Sequence, residues 1–238
     1  MRYTPVLLAP PFVWLLFLWR PMAACLHWMG RGGLVAMLGA VLVGTGCEGG
    51  GDGNDYSSQD FGDNDPALIV AFGDSITAGE GLSSAESYPS QLAGLSGRPV
   101  INSGVPGEKS SGGLDRVNSV LGRYKPGFLL ILFGSNDLIF DRPPQDIVES
   151  LRGIIRAAKA NKTVPIIGTV PPTFPYHDFI ADGVKALNPL IVSMAAEENT
   201  PVAGVNGALN DVTLFQSDGL HPTADGALKL AAAFDDKL

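Results

Sequence analysis

The chain has 238 residues, of which 24 are acidic and 16 basic, giving a formal charge of −8 and a charged fraction of 17%. About a quarter charged is usual for a soluble globule. The shortfall has one source: residues 1–46 carry no Asp, Glu or Lys and only Arg2, Arg20 and Arg31. Downstream, 13 basic residues face 24 acidic ones, a balance without the basic footprint of a nucleic-acid-binding domain. No cysteine follows Cys47, which excludes a disulfide, a Cys-ligated zinc or a thiol nucleophile there, and only His177 and His221 remain for proton or metal chemistry.

Two apolar runs open the chain. Val6–Trp19 is broken by Pro10 and Pro11 and stops at Arg20, whereas Leu34–Val43 follows Arg31 and ends in Gly44-Thr45-Gly46-Cys47. Both are shorter than the ~20 apolar residues that span a bilayer. A basic residue, a short apolar core and small residues before a break make an export signal. The cysteine directly after those small residues resembles the bacterial lipoprotein signal, in which it is lipidated, although Gly44 stands where that pattern has leucine. Residues 1–46 are therefore expected to be a leader, with Cys47 as the lipidation site of an exported, membrane-tethered protein. An ordinary signal peptide, or an uncleaved anchor with an incidental cysteine, is the alternative. Met29-Gly30-Arg31 opens a complete signal by itself, which points to Met29 as the true start. Glu48–Pro66 is rich in Gly, Asp, Asn and Ser and carries six acids and no base. Such a segment buries too little apolar surface to offset its ordering entropy, so 47–66 is expected to be a flexible tether and 67–238 the folded domain.

From Ala67 on, short apolar runs alternate with longer amphipathic ones. Ala67–Phe72, Pro99–Ile101, Phe128–Phe133, Val164–Val170 and Pro201–Val205 read as buried strands. Tyr88–Leu95, Leu114–Tyr124, Gln145–Ala160, Phe179–Glu198 and Ala224–Lys237 read as helices, with Pro143 and Pro144 suited to the start of the third. This alternation predicts an α/β fold, a five-stranded parallel sheet covered by helices on both faces. In such sheets ligands gather at the carboxyl ends of the strands.

The segments after the strands carry small polar residues beside glycines: Gly73-Asp74-Ser75, Asn102 to Gly107, Gly134-Ser135-Asn136-Asp137 and, after a loop, Asp218-Gly219-Leu220-His221. Acyl transfer needs a nucleophile, a base, a group that orients the base, and donors for the oxyanion. Ser75 is the candidate nucleophile, exposed beside a helix N-terminus that favours negative charge. His221 is the candidate base, and Asp218, three residues earlier, lies within reach to orient it. The Ser75 amide, the Gly107 amide and the Asn136 side chain are the candidate oxyanion donors. Each has a plainer reading taken alone. Ser75 and Asp218 could be helix caps, His221 a surface histidine near a helix start, Asn136 an Asx turn and Gly107 a turn glycine. Their occurrence as a complementary set, one group per strand end, favours the catalytic reading. His177 is read as a loop residue lining or flanking the site, with no visible partner.

These blocks resemble the SGNH hydrolases, the GDSL-type esterases and lipases. Gly73-Asp74-Ser75 matches the nucleophile block, Asn102–Gly107 the second, Gly134-x-Asn136-Asp137 the third and Asp218-x-x-His221 the last, with Pro222 after the histidine also typical. Ser75 is followed by Ile76 instead of the namesake Leu, and Ser135 replaces a frequent Gly. The resemblance implies a flavodoxin-like α/β/α sandwich, a serine carboxylic ester hydrolase with no cofactor, and small ester or acyl-lipid substrates for a monomer. Glu80–Pro89 is similar to the branch of bacterial arylesterases and acyl-thioesterase/lysophospholipases. Gly-x-Ser-x-Gly, the α/β-hydrolase elbow, is absent. An exported carbohydrate O-acetylesterase and a non-catalytic surface binding module are the other readings. A phosphatase with Asp74 as nucleophile lacks the clustered acids that magnesium would need.

Overall fold

The computed structural model describes residues 54–238; Cys47, the leader and Met29 lie outside the described residues. Five strands, β1 (Asp65–Gly73), β2 (Val100–Gly104), β3 (Pro126–Leu132), β4 (Val164–Gly168) and β5 (Val202–Ala203), form one parallel sheet. Their order is β2-β1-β3-β4-β5, the flavodoxin-like order. The helices are α1 (Ser75–Ala78), α2 (Tyr88–Ser96), α3 (Ser110–Tyr124), α4 (Ser135–Ile139), α5 (Pro144–Ala160), α6 (Ala181–Glu197), α7 (Val205–Ala208) and α8 (Ala224–Asp235). The expected fold class is the one observed.

Strand periodicity divides the core between two faces. Val70 and Phe72 of β1, with Leu129 and Ile131 of β3, face α3, α5 and α6; Ile69, Ala71, Phe128, Leu130 and Leu132 face α2 and α8. Every residue of β3 is buried, which is why its sequence is continuously apolar and not alternating. In α5, Ile147, Leu151, Ile154, Ile155 and Ala158 repeat at three- and four-residue spacing and are all fully buried. Gly73, the last residue of β1, stands level with Gly104 and Leu132 of its two neighbours. The loops that follow these strands therefore emerge side by side.

Two expectations change. Helix α3 starts at Ser110, four residues before the predicted Leu114, despite Gly112 and Gly113 in its first turn. The reason is a distant cap: Asp137 Oδ2 accepts from the Ser110 amide at 2.8 Å, which substitutes for the missing local cap. The tether also ends earlier than its composition implies. Tyr56 and Phe61 place their rings 5.1 and 5.7 Å from that of Phe128, and Tyr56 Oη donates to the Lys237 carbonyl at 3.0 Å. Asp60 pairs with Lys162 at 2.6 Å, and Asn64 donates to the Asn161 carbonyl at 2.6 Å. Two aromatic side chains in a polar background supply the apolar area that an average over the segment hides. Tyr56→Ala is expected to destabilise the domain by about 1–2 kcal/mol, read as a lower denaturant midpoint with an unchanged slope.

Candidate active site

Ser75 is the first residue of α1, separated from the end of β1 by Asp74, and is 8% exposed, buried instead of exposed as its place beside a helix N-terminus suggested. Asp74 caps that turn: its Oδ1 accepts from the Ile76 amide at 3.0 Å. His221 arrives from the other end of the chain, three residues ahead of α8. The antiparallel bridge between Phe215 and Pro222 and the Gln216 N–H donating to the His221 carbonyl at 2.8 Å position it. Its Nε2 lies 2.9 Å from Ser75 Oγ, and its Nδ1 lies 2.6 Å from Asp218 Oδ2. The carboxylate partner makes Nδ1 the protonated nitrogen, so Nε2 is free to accept the serine proton. Asp218 Oδ1 also accepts from the Leu220 and His221 amides at 2.9 and 3.0 Å. Partial burial raises the Asp218 pKa, but the bonds from the His221 ring and these two amides together hold it below the ordinary carboxylate value.

The remaining candidates converge on the same strand ends. Gly107 has φ +75° and open space around it, whereas Gly104 ends β2 against the backbone of Ala78 and donates its amide to Asn102 Oδ1 at 2.9 Å. The second-block amide free to meet a ligand is thus that of Gly107, and the glycine at 104 serves close packing. Among the described residues, neither the Ser75 nor the Gly107 amide donates to a protein acceptor. Asn136 Nδ2 points between the two loops, 3.3 Å from Asp74 Oδ2 and 3.2 Å from the Glu108 carbonyl. Both contacts are long, so either yields readily to a stronger acceptor.

Several contacts that frame this arrangement join side chains to partners distant in the sequence. Arg116 of α3 donates to the Ser103 carbonyl at 2.9 Å and the Gly73 carbonyl at 3.3 Å, stacks on Phe72 at 4.1 Å and pairs with Glu108 at 2.6 Å. It thereby ties the β1 end to the loop bearing Gly107. Asp137, fully buried, accepts from Ser110 Oγ at 2.8 Å and Arg142 Nη1 at 2.9 Å besides the Ser110 amide. Gln216 Nε2 donates to the Glu80 carbonyl at 2.7 Å, joining the histidine loop to the segment after Ser75. His177 does have a partner: its Nδ1 lies 2.8 Å from the Asp218 carbonyl. Exposed apolar side chains rim these loops: Val105 in the second block, Phe140 after α4, and Tyr176 and Phe179 on either side of His177.

Asp74 is 2% exposed, and burial pushes its pKa up to about 7 against the Ile76 amide, with nearby Asp137 adding to the rise. The folded state then binds this proton more tightly than the unfolded state does. Its contribution to stability is full below about pH 4, declines as the pH rises, and levels off above about pH 7. Asp74→Asn removes that slope. The thermal midpoint of this variant relative to wild type should climb between pH 4 and 7, and a constant difference would contradict the buried-carboxyl account.

A family model, the GDSL-like Lipase/Acylhydrolase family, matches residues 71–228. The chain belongs to this family. The Thioesterase 1/protease 1/lysophospholipase L1 of Escherichia coli K12 is 27% identical over 163 residues, 66% of this chain and 76% of that protein. The Esterase TesA of Pseudomonas aeruginosa is 28% identical over 168 residues, 65% of this chain and 79% of its own length. Among solved structures, the lipase/acylhydrolase from Enterococcus faecalis superposes with a TM-score of 0.62 at 30% identity, over 71% of this chain and 93% of that one. This GDSL family member is a carboxylic ester hydrolase.

Proposed function

We propose that this GDSL hydrolase cleaves carboxylic esters through an acyl-enzyme on Ser75. The carrying observation is the unbroken hydrogen-bond chain from Asp218 through His221 to Ser75 Oγ, with contacts of 2.6 and 2.9 Å. Ser75 Oγ attacks the ester carbonyl carbon as His221 Nε2 takes its proton, and Asp218 stabilises the resulting imidazolium without itself being protonated. The negative charge on the former carbonyl oxygen meets the Ser75 and Gly107 amides and the Asn136 side-chain amide, which exchanges a long contact for a charge-assisted one. His221 next protonates the leaving alcohol. A water, deprotonated by the same ring, attacks the acyl carbon and releases the acid and free Ser75.

Val105, Phe140, Tyr176 and Phe179, on the segments that follow β2, β3 and β4, are 41%, 61%, 80% and 65% exposed. That apolar rim suits esters with apolar acyl or aryl groups, including thioesters and lysophospholipids, the substrate types in the names of the Escherichia coli relative. Export with lipidation at Cys47 belongs to the same proposal and rests on the leader sequence; Cys47→Ala should release the protein from the membrane fraction. A panel of p-nitrophenyl esters from acetate to palmitate, run beside a thioester series and acetylated xylan, tests the substrate class. Rising kcat/KM with acyl length supports it, and activity confined to xylan acetyl groups overturns it. Asn136→Ala should lower kcat by about 10²–10³ with little change in KM, measured at steady state on the best ester.

A further inference from the structure

We propose that His177 is a positioning residue for the hydrolytic site: its ring N–H holds the backbone carbonyl of Asp218 and thereby keeps the Asp218 carboxylate behind His221. The bond is 2.8 Å from Nδ1 to the carbonyl oxygen. Since a carbonyl only accepts, Nδ1 carries the hydrogen.

The contact matters because of how little else fixes Asp218. Its side chain is 38% exposed, so packing does not set its orientation. The three bonds its carboxylate accepts all come from Leu220 and His221, within its own turn. These bonds lie within the turn. The Phe215–Pro222 bridge and the Gln216 N–H on the His221 carbonyl hold the histidine end of it, whereas at the Asp218 and Gly219 carbonyls the bonds come from the loop after β4. The Phe174 N–H donates to the Gly219 carbonyl at 2.8 Å, and His177 donates to the neighbouring Asp218 carbonyl. Two consecutive carbonyls of the catalytic turn thus bond to one four-residue segment.

That segment is itself rigid. The His177 N–H donates to the Phe174 carbonyl at 2.9 Å, and the Ile180 N–H donates to the His177 carbonyl at 3.3 Å. Ile180 is buried, and the His177 ring lies 5.9 Å from that of Phe179. Releasing the Asp218 carbonyl would let its peptide plane rotate, and the carboxylate would swing away from His221 Nδ1. Misplacing a catalytic group costs rate without weakening substrate binding.

The inference rests on the reading of Ser75, His221 and Asp218 as the working set. His177→Ala should lower kcat about tenfold, the equivalent of one hydrogen bond, with KM unchanged. His177→Asn places an amide N–H close to the position of Nδ1–H and should restore most of the rate, whereas His177→Gln, one methylene longer, should not. The downfield proton resonance of the His221–Asp218 hydrogen bond should broaden in the Ala and Gln variants and return in the Asn variant. Thermal unfolding of each variant separates this from global destabilisation, and the Asn variant keeps the test open if the Ala variant does not fold. An Ala variant with wild-type kcat overturns the proposal. So does a raised KM at constant kcat, which would make His177 a substrate contact, and so does an Asn variant no better than Ala. Failure of the underlying site is distinct: it appears as full turnover by Ser75→Ala.

Discussion

Ser75→Ala and His221→Ala should each lower kcat by about 10⁶-fold on the best p-nitrophenyl ester, and the double variant should be no worse than either. The non-additivity follows from the geometry. In the proposed mechanism Ser75 Oγ and His221 Nε2, 2.9 Å apart, share a single proton-transfer step. Once either is gone, the other has nothing to activate or be activated by. Asp218→Ala should cost less, on the order of 10⁴-fold, because the serine–imidazole contact survives and only the ring's orientation and charge are left unsupported. The free amides of Ser75 and Gly107 would supply the residual rate over water. Steady-state kinetics on the three single variants and the double variant check this ordering, and additive losses would contradict it.

Asp137→Ala should be the most destabilising substitution near the site, by about 3 kcal/mol. The carboxylate is fully buried and accepts from the Ser110 amide, Ser110 Oγ and Arg142 Nη1, at 2.8, 2.8 and 2.9 Å. Its loss strands two buried donors on Ser110 and a guanidinium whose remaining side-chain partners are Ser110 and Ser150. For a domain of this size the thermal midpoint should fall by roughly 10 °C. The change also uncouples α3, whose first turn follows Gly107, from α4, which bears Asn136. The folded fraction of Asp137→Ala should therefore lose kcat as well, measured after correcting for unfolded protein at low temperature. A variant with a wild-type midpoint would show that Asp137 caps nothing of consequence.

The fold was legible because a doubly covered parallel sheet writes long apolar strands and amphipathic helices directly into the chain. All five strands and the five long helices appear in the expected order and overlap their predicted spans, with α3 starting four residues early. The short helices α4 and α7 were not legible, since four or five residues carry no period, and α1 was expected only as the helix N-terminus beside Ser75. Within the site, the quartet of blocks was readable because each block is local: Ser75 follows its strand, and Asp218 lies three residues from His221. What escaped is what joins the blocks. Arg116 and Glu108 are eight residues apart and meet as a pair that also braces Gly73, a contact between elements that no spacing announces. Asp137 caps a helix that begins 27 residues earlier. His177, which showed no partner in its own stretch of sequence, finds it 41 residues away. The early end of the tether was missed for a related reason: Tyr56 and Phe61 are too few to alter the composition of a polar segment, yet enough to dock it on Phe128.

Passage of the acyl group through Ser75 is open to a direct test: reaction of the intact protein with a fluorophosphonate, followed by mass mapping of the digested adduct. One adduct per chain is expected, located on Ser75 and lost in Ser75→Ala. An adduct on any other residue, or undiminished labelling of that variant, would rule out the serine route.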